Sequence, residues 1–391
     1  MSRLTYLDHA ATTPLDERVL EAMLPYLREA WGNPSSLYGH GRIARRAVDG
    51  ARDTVTGVLG CRASEIIFTC GGTESDNLAI KGVALARRGE GDHIVTSKVE
   101  HHAVLHTCGW LERHFGFRVT YVDVDEHGLV DVEQVERAVG PGTVLVTIML
   151  ANNEVGTIQP IADLAAIARR HGAVFHTDAI QAGGQLDVQV DALGVDLLSL
   201  SGHKLYGPKG AGVLYRRRGT PLLAEAQGGG QERGQRAGTE NVAGIVGMAA
   251  ALRLAYQELE GRTAHAGRLR DRLVDGILAA VPGAQLTGHP TRRLPNNASF
   301  VFEDTDGESI LLNLDQHDVC ASSGSACTSG TLEVSHVLLA LGLAPALARG
   351  SLRLTTGEAV DDAGIDHVLG VLPTAIERVR SVMPILLGAR E

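Results

Sequence analysis

Between residues 66 and 215 short apolar runs alternate with longer stretches whose apolar residues recur every three or four positions. The runs are Ile66–Thr69, Ile94–Thr96, Val119–Val124, Val144–Leu150, Val174–His176, Leu197–Leu200 and Gly212–Tyr215. Helical spacing fills the gaps, around 75–88, 102–114, 131–139 and 161–171. This rhythm predicts a mostly parallel sheet with helices on both faces. Upstream, Asp16 to Arg28 and Arg42 to Val58 have the spacing of amphipathic helices, with the polar loop 31–41 between them. Downstream, the Gly-rich stretch 228–241 leads into a long helical region at about 242–281. A second pattern follows: strand Ala298–Phe302, helix 307–316, loop 321–330, helix 333–341, strand Leu352–Thr355 and helix 361–380. The predicted architecture is α/β: a large domain over 16–257, and a smaller α+β domain made of 1–15 with 258–391.

Size and composition narrow the functional classes. A chain of 391 residues exceeds one minimal core, which fits two joined lobes. A net charge of −10 argues against direct nucleic-acid binding, which needs dense basic surface. No apolar run approaches the roughly 20 residues of a membrane helix. The N-terminus, MSRLTYLDHAATT, has no signal-peptide core, so a cytoplasmic protein without membrane partners is expected. Five cysteines, 61, 70, 108, 320 and 327, are odd in number and lack CxxC pairing. Neither a disulfide framework nor a zinc knuckle fits, and most are expected to be packing residues.

The chemistry gathers at the ends of the apolar runs. Leu197–Leu200 ends in Ser201-Gly202-His203-Lys204, and the run through Val174 ends in Asp178, with Gln181 close behind. An unpaired lysine is costly at a buried strand end. Two readings suit it: a salt bridge between the strand ends, or an imine to pyridoxal phosphate (PLP) with the acid holding the ring nitrogen protonated. At Thr69-Cys70-Gly71-Gly72-Thr73 a strand passes through glycines into a helix, a junction that can bind an anion at the helix N-terminus or simply turn the chain. His101 follows another run, placed to stack on a planar group or to cap the next helix. His102 and His106 are four apart, but no HExxH order or third ligand accompanies them, and no metal is expected. Asn152 and Asn153 end a fourth run, as amide donors or turn formers.

Together the motifs 7-LDHAATTPLD-16, 71-GGTESDNLAIKG-82, 98-KVEHHAVL-105, 152-NNEVGTIQPI-161, 176-HTDAIQ-181, 201-SGHKLYGPKG-210, 236-RAGTEN-241 and 322-SSGSACTSG-330 resemble the cysteine desulfurases. These are PLP enzymes of the class V aminotransferase group with the type I aminotransferase fold. The resemblance covers essentially the whole chain and leans toward the nitrogen-fixation and iron–sulfur branch. It implies Lys204 as Schiff-base lysine and base, Asp178 on the pyridinium nitrogen, Gln181 on the ring hydroxyl and His101 stacked on the ring. It implies Gly72, Thr73, Ser201 and His203 around the phosphate, with Thr239 reaching the phosphate of a neighbouring subunit in a homodimer. Asn152 and Arg353 would grip the substrate carboxylate. Cys327, set among small residues that cannot form a packed core, would take the sulfur of L-cysteine as a persulfide and pass it to an acceptor such as an iron–sulfur scaffold. The rivals are a selenocysteine lyase, another class V aminotransferase, or a PLP-bound regulatory protein without catalysis.

Overall fold

The computed structural model describes residues 4–324 and 334–388. Its strands are β1 Thr5–Tyr6, β2 Ile66–Thr69, β3 His93–Ser97, β4 Arg118–Val122, β5 Thr143–Thr147, β6 Val174–Asp178, β7 Leu197–Ser201, β8 Gly212–Arg216, β9 Ala284–Leu286, β10 Asn297–Phe302, β11 Val319–Cys320 and β12 Ser351–Thr355. Seven of them form one sheet in the order β2-β8-β7-β6-β5-β3-β4. Neighbours from β4 through β7 are parallel, while β8 runs antiparallel to both β2 and β7. The short link from Ser201 to Gly212 explains the reversal, since a parallel return needs a longer crossover.

Every residue of β2, β3, β5, β6 and β7 is buried, which is why these strands read as runs without polar alternation. Alternate side chains feed two cores. Val146, Phe175 and Leu198 pack on one face with Val55 and Met248. Leu145 and Leu197 pack on the other with Leu78, Val104 and Leu111. The α/β class with a large, mostly parallel sheet is as the sequence predicts.

A second, antiparallel sheet has the order β12-β10-β9, and β1 pairs in parallel with β11. Its core gathers Leu7, Leu269, Phe300, Phe302, Leu352 and Val368. From β1 the chain crosses to the large sheet. Asp8 bridges Thr355, then the Thr13 N–H donates to the His203 carbonyl at 2.9 Å. This strap lays Ala10 and Ala11 over the exit of β7.

Three differences from the sequence reading have local causes. The long helical region is two helices, Val242–Gln257 and Leu259–Ala280, bent by 73°. The break is at Glu258, which holds Arg18 at 2.5 Å and Arg262 at 2.6 Å; neither glycine nor proline marks it. The run Val144–Leu150 leaves the ladder after Thr147, although the Ile148 and Leu150 N–H groups still donate to His176 and Asp178 carbonyls. Strands β9 and β11 and helix Pro345–Arg349 are too short for a periodic signal. No single helix among the described residues is long and apolar enough to cross a membrane.

Candidate active site

The parallel strands β5, β6 and β7 end side by side, and their C-terminal edge is where open α/β sheets offer a ligand crevice. Lys204 leaves β7 through the short 3-10 turn Gly202–Lys204. Its Nζ donates to the Ala10 carbonyl at 2.5 Å and to the Ala11 carbonyl at 2.7 Å. Gln181 Nε2 donates to the same Ala10 carbonyl at 2.9 Å, so one peptide of the strap brings both side chains together. Lys204 and Gln181 line a small pocket with His9, Thr13, Tyr206 and Asn296. A larger cavity of about 440 Å³ shares His9 and Thr13 but extends toward Leu4, Pro14 and Val360, away from the strand ends that carry the chemistry.

Asp178 closes β6. Its Oδ1 accepts the Ile180 N–H at 2.9 Å, and burial raises its carboxyl to about 6, against the lowering effect of that N–H and of the Lys204 charge. Behind it lies Asp76, wholly buried on helix Gly72–Ala86 with its Oδ1 3.6 Å from His176 Nε2. Burial, and then the charge of Asp178, push Asp76 well above the ordinary carboxylate range. His176 is held neutral by burial, its pKa lowered to about 3, so the contact with Asp76 is not an ion pair. Two neighbouring buried carboxyls do not both ionise. Asp76 keeps its proton, and Asp178 carries the negative charge at neutral pH. The sequence reading missed Asp76, because an acid in the first turns of a helix looks like an ordinary dipole partner.

His101 is the N-cap of helix His102–Phe115, its Nδ1 accepting the Ala103 N–H at 3.1 Å. Burial, then the Lys204 charge, lower its pKa to about 4. The ring is therefore neutral, with its proton on Nε2. The His102 ring stands 4.8 Å from the rings of both His106 and His336, yet among the described residues no group of three His, Cys, Asp or Glu forms a metal-ligand set.

Gly72 and Thr73 begin helix Gly72–Ala86, whose first turn has no side-chain cap. The start of this helix lies beside the exit of β7: a Cβ on Gly71 would stand 3.8 Å from Ser201 Oγ. Thr73 is exposed, and His203, half-buried, has Nδ1 3.2 Å from Thr12 Oγ1. Burial and the Lys204 charge lower His203 to about 4. Glu74 joins this turn to the Gly-rich loop, accepting from Arg236 Nε at 2.8 Å. Thr239, three residues on, is exposed on the molecular surface. The loop is itself anchored by Glu232, whose carboxylate takes Arg52 at 2.6 Å and the Phe68 N–H at 2.9 Å.

Asn152 is fully buried, its Nδ2 donating to the Val99 carbonyl at 2.8 Å while its Oδ1 accepts from Glu154 and Val155 N–H groups. Arg353 on β12 is also buried; Nη2 pairs with Asp8 at 2.8 Å, Nη1 donates to the Asn153 carbonyl at 2.9 Å, and Nε is buried without a hydrogen-bond partner. Cys327 lies outside the described residues. Of the other cysteines, Cys108 is buried, whereas Cys70 is exposed because it stands past the end of β2. Burial raises the thiol pKa at all four, to about 12 at Cys61.

Fold and strand-edge site thus define a chain of the aminotransferase type, in which an aspartate ends one parallel strand and a lysine follows the end of the next. The family model for class-V aminotransferases matches residues 5–367, and the chain belongs to that family. Cysteine desulfurase IscS of Methanosarcina thermophila is 49% identical over 98% of this chain and 95% of its own length. A solved structure described as a NifS-like protein superposes with a TM-score of 0.91 at 38% identity, covering 96% of this chain and all (100%) of that one. A second, described as SspA in complex with cysteine, gives a TM-score of 0.80 at 38% identity over 90% of this chain and 99% of that chain.

Proposed function

We propose that the chain is a PLP-dependent cysteine desulfurase, which converts L-cysteine to L-alanine and receives the sulfur on Cys327 as a persulfide. The observation that carries this reading is the convergence of Lys204 and Gln181 on one strap carbonyl, with Asp178 at the end of the adjacent strand and an uncapped helix N-terminus beside them. Those groups suit the cofactor. The N–H groups at Gly72 and Thr73, with Ser201 and His203, offer donors to its phosphate. Asp178 would hold a proton on the ring nitrogen, with the neutral Asp76 behind it leaving that charge undiluted. Gln181 Nε2 would be the donor for the ring hydroxyl. His101 would lie against the ring, its Nε2–H available as a donor.

When bound, PLP supplies an electron sink for negative charge at the substrate Cα. Lys204 Nζ takes the Cα proton and later returns one. Arg353 Nε offers a donor for the substrate carboxylate, and Asn152 Nδ2 would join it by giving up its bond to the Val99 carbonyl. The Cys327 thiolate attacks the substrate sulfur. The new S–S bond forms as the Cβ–S bond breaks, and its electron pair stays on Cβ, which gains a proton to become the alanine methyl group. Enzyme thiol and cysteine thus yield enzyme persulfide and alanine, with no outside oxidant.

Two identical subunits complete the reading, Thr239 of one chain reaching the phosphate bound by the other. The persulfide then passes to an acceptor such as an iron–sulfur scaffold, consistent with the IscS name of the similar proteins. Anaerobic incubation with L-cysteine and a thiol tests the activity: alanine and sulfide should appear in equal amounts and vanish in Lys204→Ala together with the cofactor's yellow absorbance. Amino transfer to a keto acid without sulfide would favour another class V aminotransferase.

A further inference from the structure

Glu154 is a buried acid that the chemistry above does not use. It follows Asn152-Asn153 at the end of the β5 run, and only 5% of it is exposed. A carboxylate at such depth needs partners, and its partners lie in the other half of the molecule. Glu154 Oε2 accepts from Ser335 Oγ at 2.5 Å. That hydroxyl also accepts the Leu338 N–H at 3.2 Å, capping helix His336–Ala340, so its own proton is the one given to Glu154. The second partner is a backbone approach. A Cβ on Gly324 would lie 2.9 Å from the same Oε2 and 3.0 Å from Ser335 Cβ, so only glycine fits there without displacement. Gly324 N–H is fixed in turn by Ser351 Oγ at 3.1 Å.

Gly324 immediately precedes the segment 325–333, which carries Cys327, and Ser335 stands just beyond it. One carboxylate therefore touches both stems of the stretch that bears the thiol. Glu154 is itself rigidly held. Its N–H donates to Asn152 Oδ1 at 2.8 Å, and its carbonyl accepts Asn297 Nδ2 at 3.1 Å. The neighbouring Asn153 carbonyl is bonded to Arg353, so the stem anchor and the strand-end site share one turn.

We propose that Glu154 is a positioning residue for Cys327, tying both stems of its segment to the strand edge that holds Lys204 and Asp178. The proposal rests on the reading of Cys327 as the sulfur acceptor. Its consequence is selective: weakening the tether slows the sulfur-transfer step and leaves cofactor binding and the uptake of substrate intact. Burial raises the Glu154 carboxyl to about 7, against the lowering effects of the Ser335 bond and the Arg353 charge. The tether needs only an acceptor oxygen, so glutamine at 154 retains it.

The test uses the holoenzyme and four variants: Ser335→Ala, Ser335→Thr, Glu154→Gln and Gly324→Ala. Loss of positional precision of about 1 Å is worth on the order of a hundredfold in rate, so Ser335→Ala and Gly324→Ala should lower kcat for alanine roughly 10- to 100-fold. KM for L-cysteine and the spectral change on adding it should stay as in the wild type, while Ser335→Thr and Glu154→Gln restore most of the rate. If Cys327→Ser abolishes alanine formation and Ser335→Ala does not slow it, the tether is wrong and the sulfur-acceptor reading stands. If Cys327→Ser makes alanine at the wild-type rate, the reading of Cys327 fails first. A Ser335→Ala protein that loses its cofactor or raises KM instead would make Ser335 a general structural residue and would also overturn the proposal.

Discussion

Gly212 offers a direct way to disturb the anion cradle without touching any of its donors. It lies on β8, paired with Thr69 on one side and Ser201 on the other. A methyl group there would stand 2.7 Å from Gly71 Cα, 2.8 Å from Gly71 C and 2.8 Å from Thr69 Oγ1. Ordinary contact begins at 3.4 Å, so the Gly71 backbone must retreat by 3.4 − 2.7 = 0.7 Å. Rotation of a side chain cannot relieve this, because the obstacle is the Gly71 main chain just past the end of β2. Thr69 cannot yield easily either, since its Oγ1 is 2.7 Å from Ser75 Oγ. Overpacking of this kind costs about 1–3 kcal/mol of stability. The displaced glycine leads into the helix N-terminus, so Gly212→Ala should misalign at least one N–H aimed at the phosphate. Losing one charge-assisted hydrogen bond, at about 1.5–3 kcal/mol, corresponds to roughly 10- to 150-fold weaker PLP binding. Titration of the apoenzyme with PLP and with pyridoxal, which lacks the phosphate, separates this from general damage. PLP should lose affinity by that factor while pyridoxal changes much less. An unchanged PLP dissociation constant, or an equal loss for both ligands, would refute the cradle.

Other outcomes follow from buried charges and from the proposed dimer. Glu232→Ala leaves Arg52 and the Phe68 N–H without their buried acceptor. Breaking such a pair costs roughly 3–5 kcal/mol, read as a lowered urea midpoint, and a shift below about 1 kcal/mol would contradict it. Glu100 is wholly buried, and its carboxyl is raised from 4.5 to about 8, chiefly by burial, against the bonds from Ser97 and the Met149 N–H. The folded protein holds this proton more tightly than the unfolded chain. Its stabilising effect is therefore full below 4.5 and lost as pH rises through about 8. Glu100→Gln should flatten the fall in unfolding free energy across that window, and an identical slope would show that the carboxyl is ionised throughout. Mixing Lys204→Ala chains with Thr239→Ala chains should give PLP retention above either parent, because the first lends its Thr239 to the partner's site. Retention equal to the parents would assign Thr239 to its own subunit.

The sheet was legible because its strands are covered on both faces. Ile66–Thr69 matches β2 at both ends, the run being bounded by a polar turn and by Gly71-Gly72. The end of β6 at Asp178 was legible as well, although Thr177 and Asp178 are polar residues that stay buried in the ladder. The juxtaposition of Gly72, Asp178, Ser201 and Lys204 followed from each standing after an apolar run, since parallel strands end on a common edge. Partners without a sequence signature escaped. The Ala10 and Ala11 carbonyls that hold Lys204 belong to a strap of small residues, and nothing in an alanine announces a lysine's acceptor. Asp76, Glu100, Glu154 and Glu232 carry no sign of burial in the sequence, yet all four are buried. Burial of a charge is a tertiary property, decided by what packs against it rather than by its neighbours in the chain. The break at Glu258 belongs to the same class, fixed by arginines from other turns.

The central claim is that Cys327 carries the sulfur. A short pulse of L-cysteine, followed by alkylation and peptide mass spectrometry, tests it most directly. The wild-type peptide containing Cys327 should gain one sulfur, and alanine should appear in step with it. In Cys327→Ser the cofactor spectrum should still respond to L-cysteine, while the added sulfur and the alanine are both lost, since a serine hydroxyl stays protonated where a thiol ionises. Alanine formed by Cys327→Ser at the wild-type rate, or a persulfide found on Cys70 or Cys320 instead, would contradict the account.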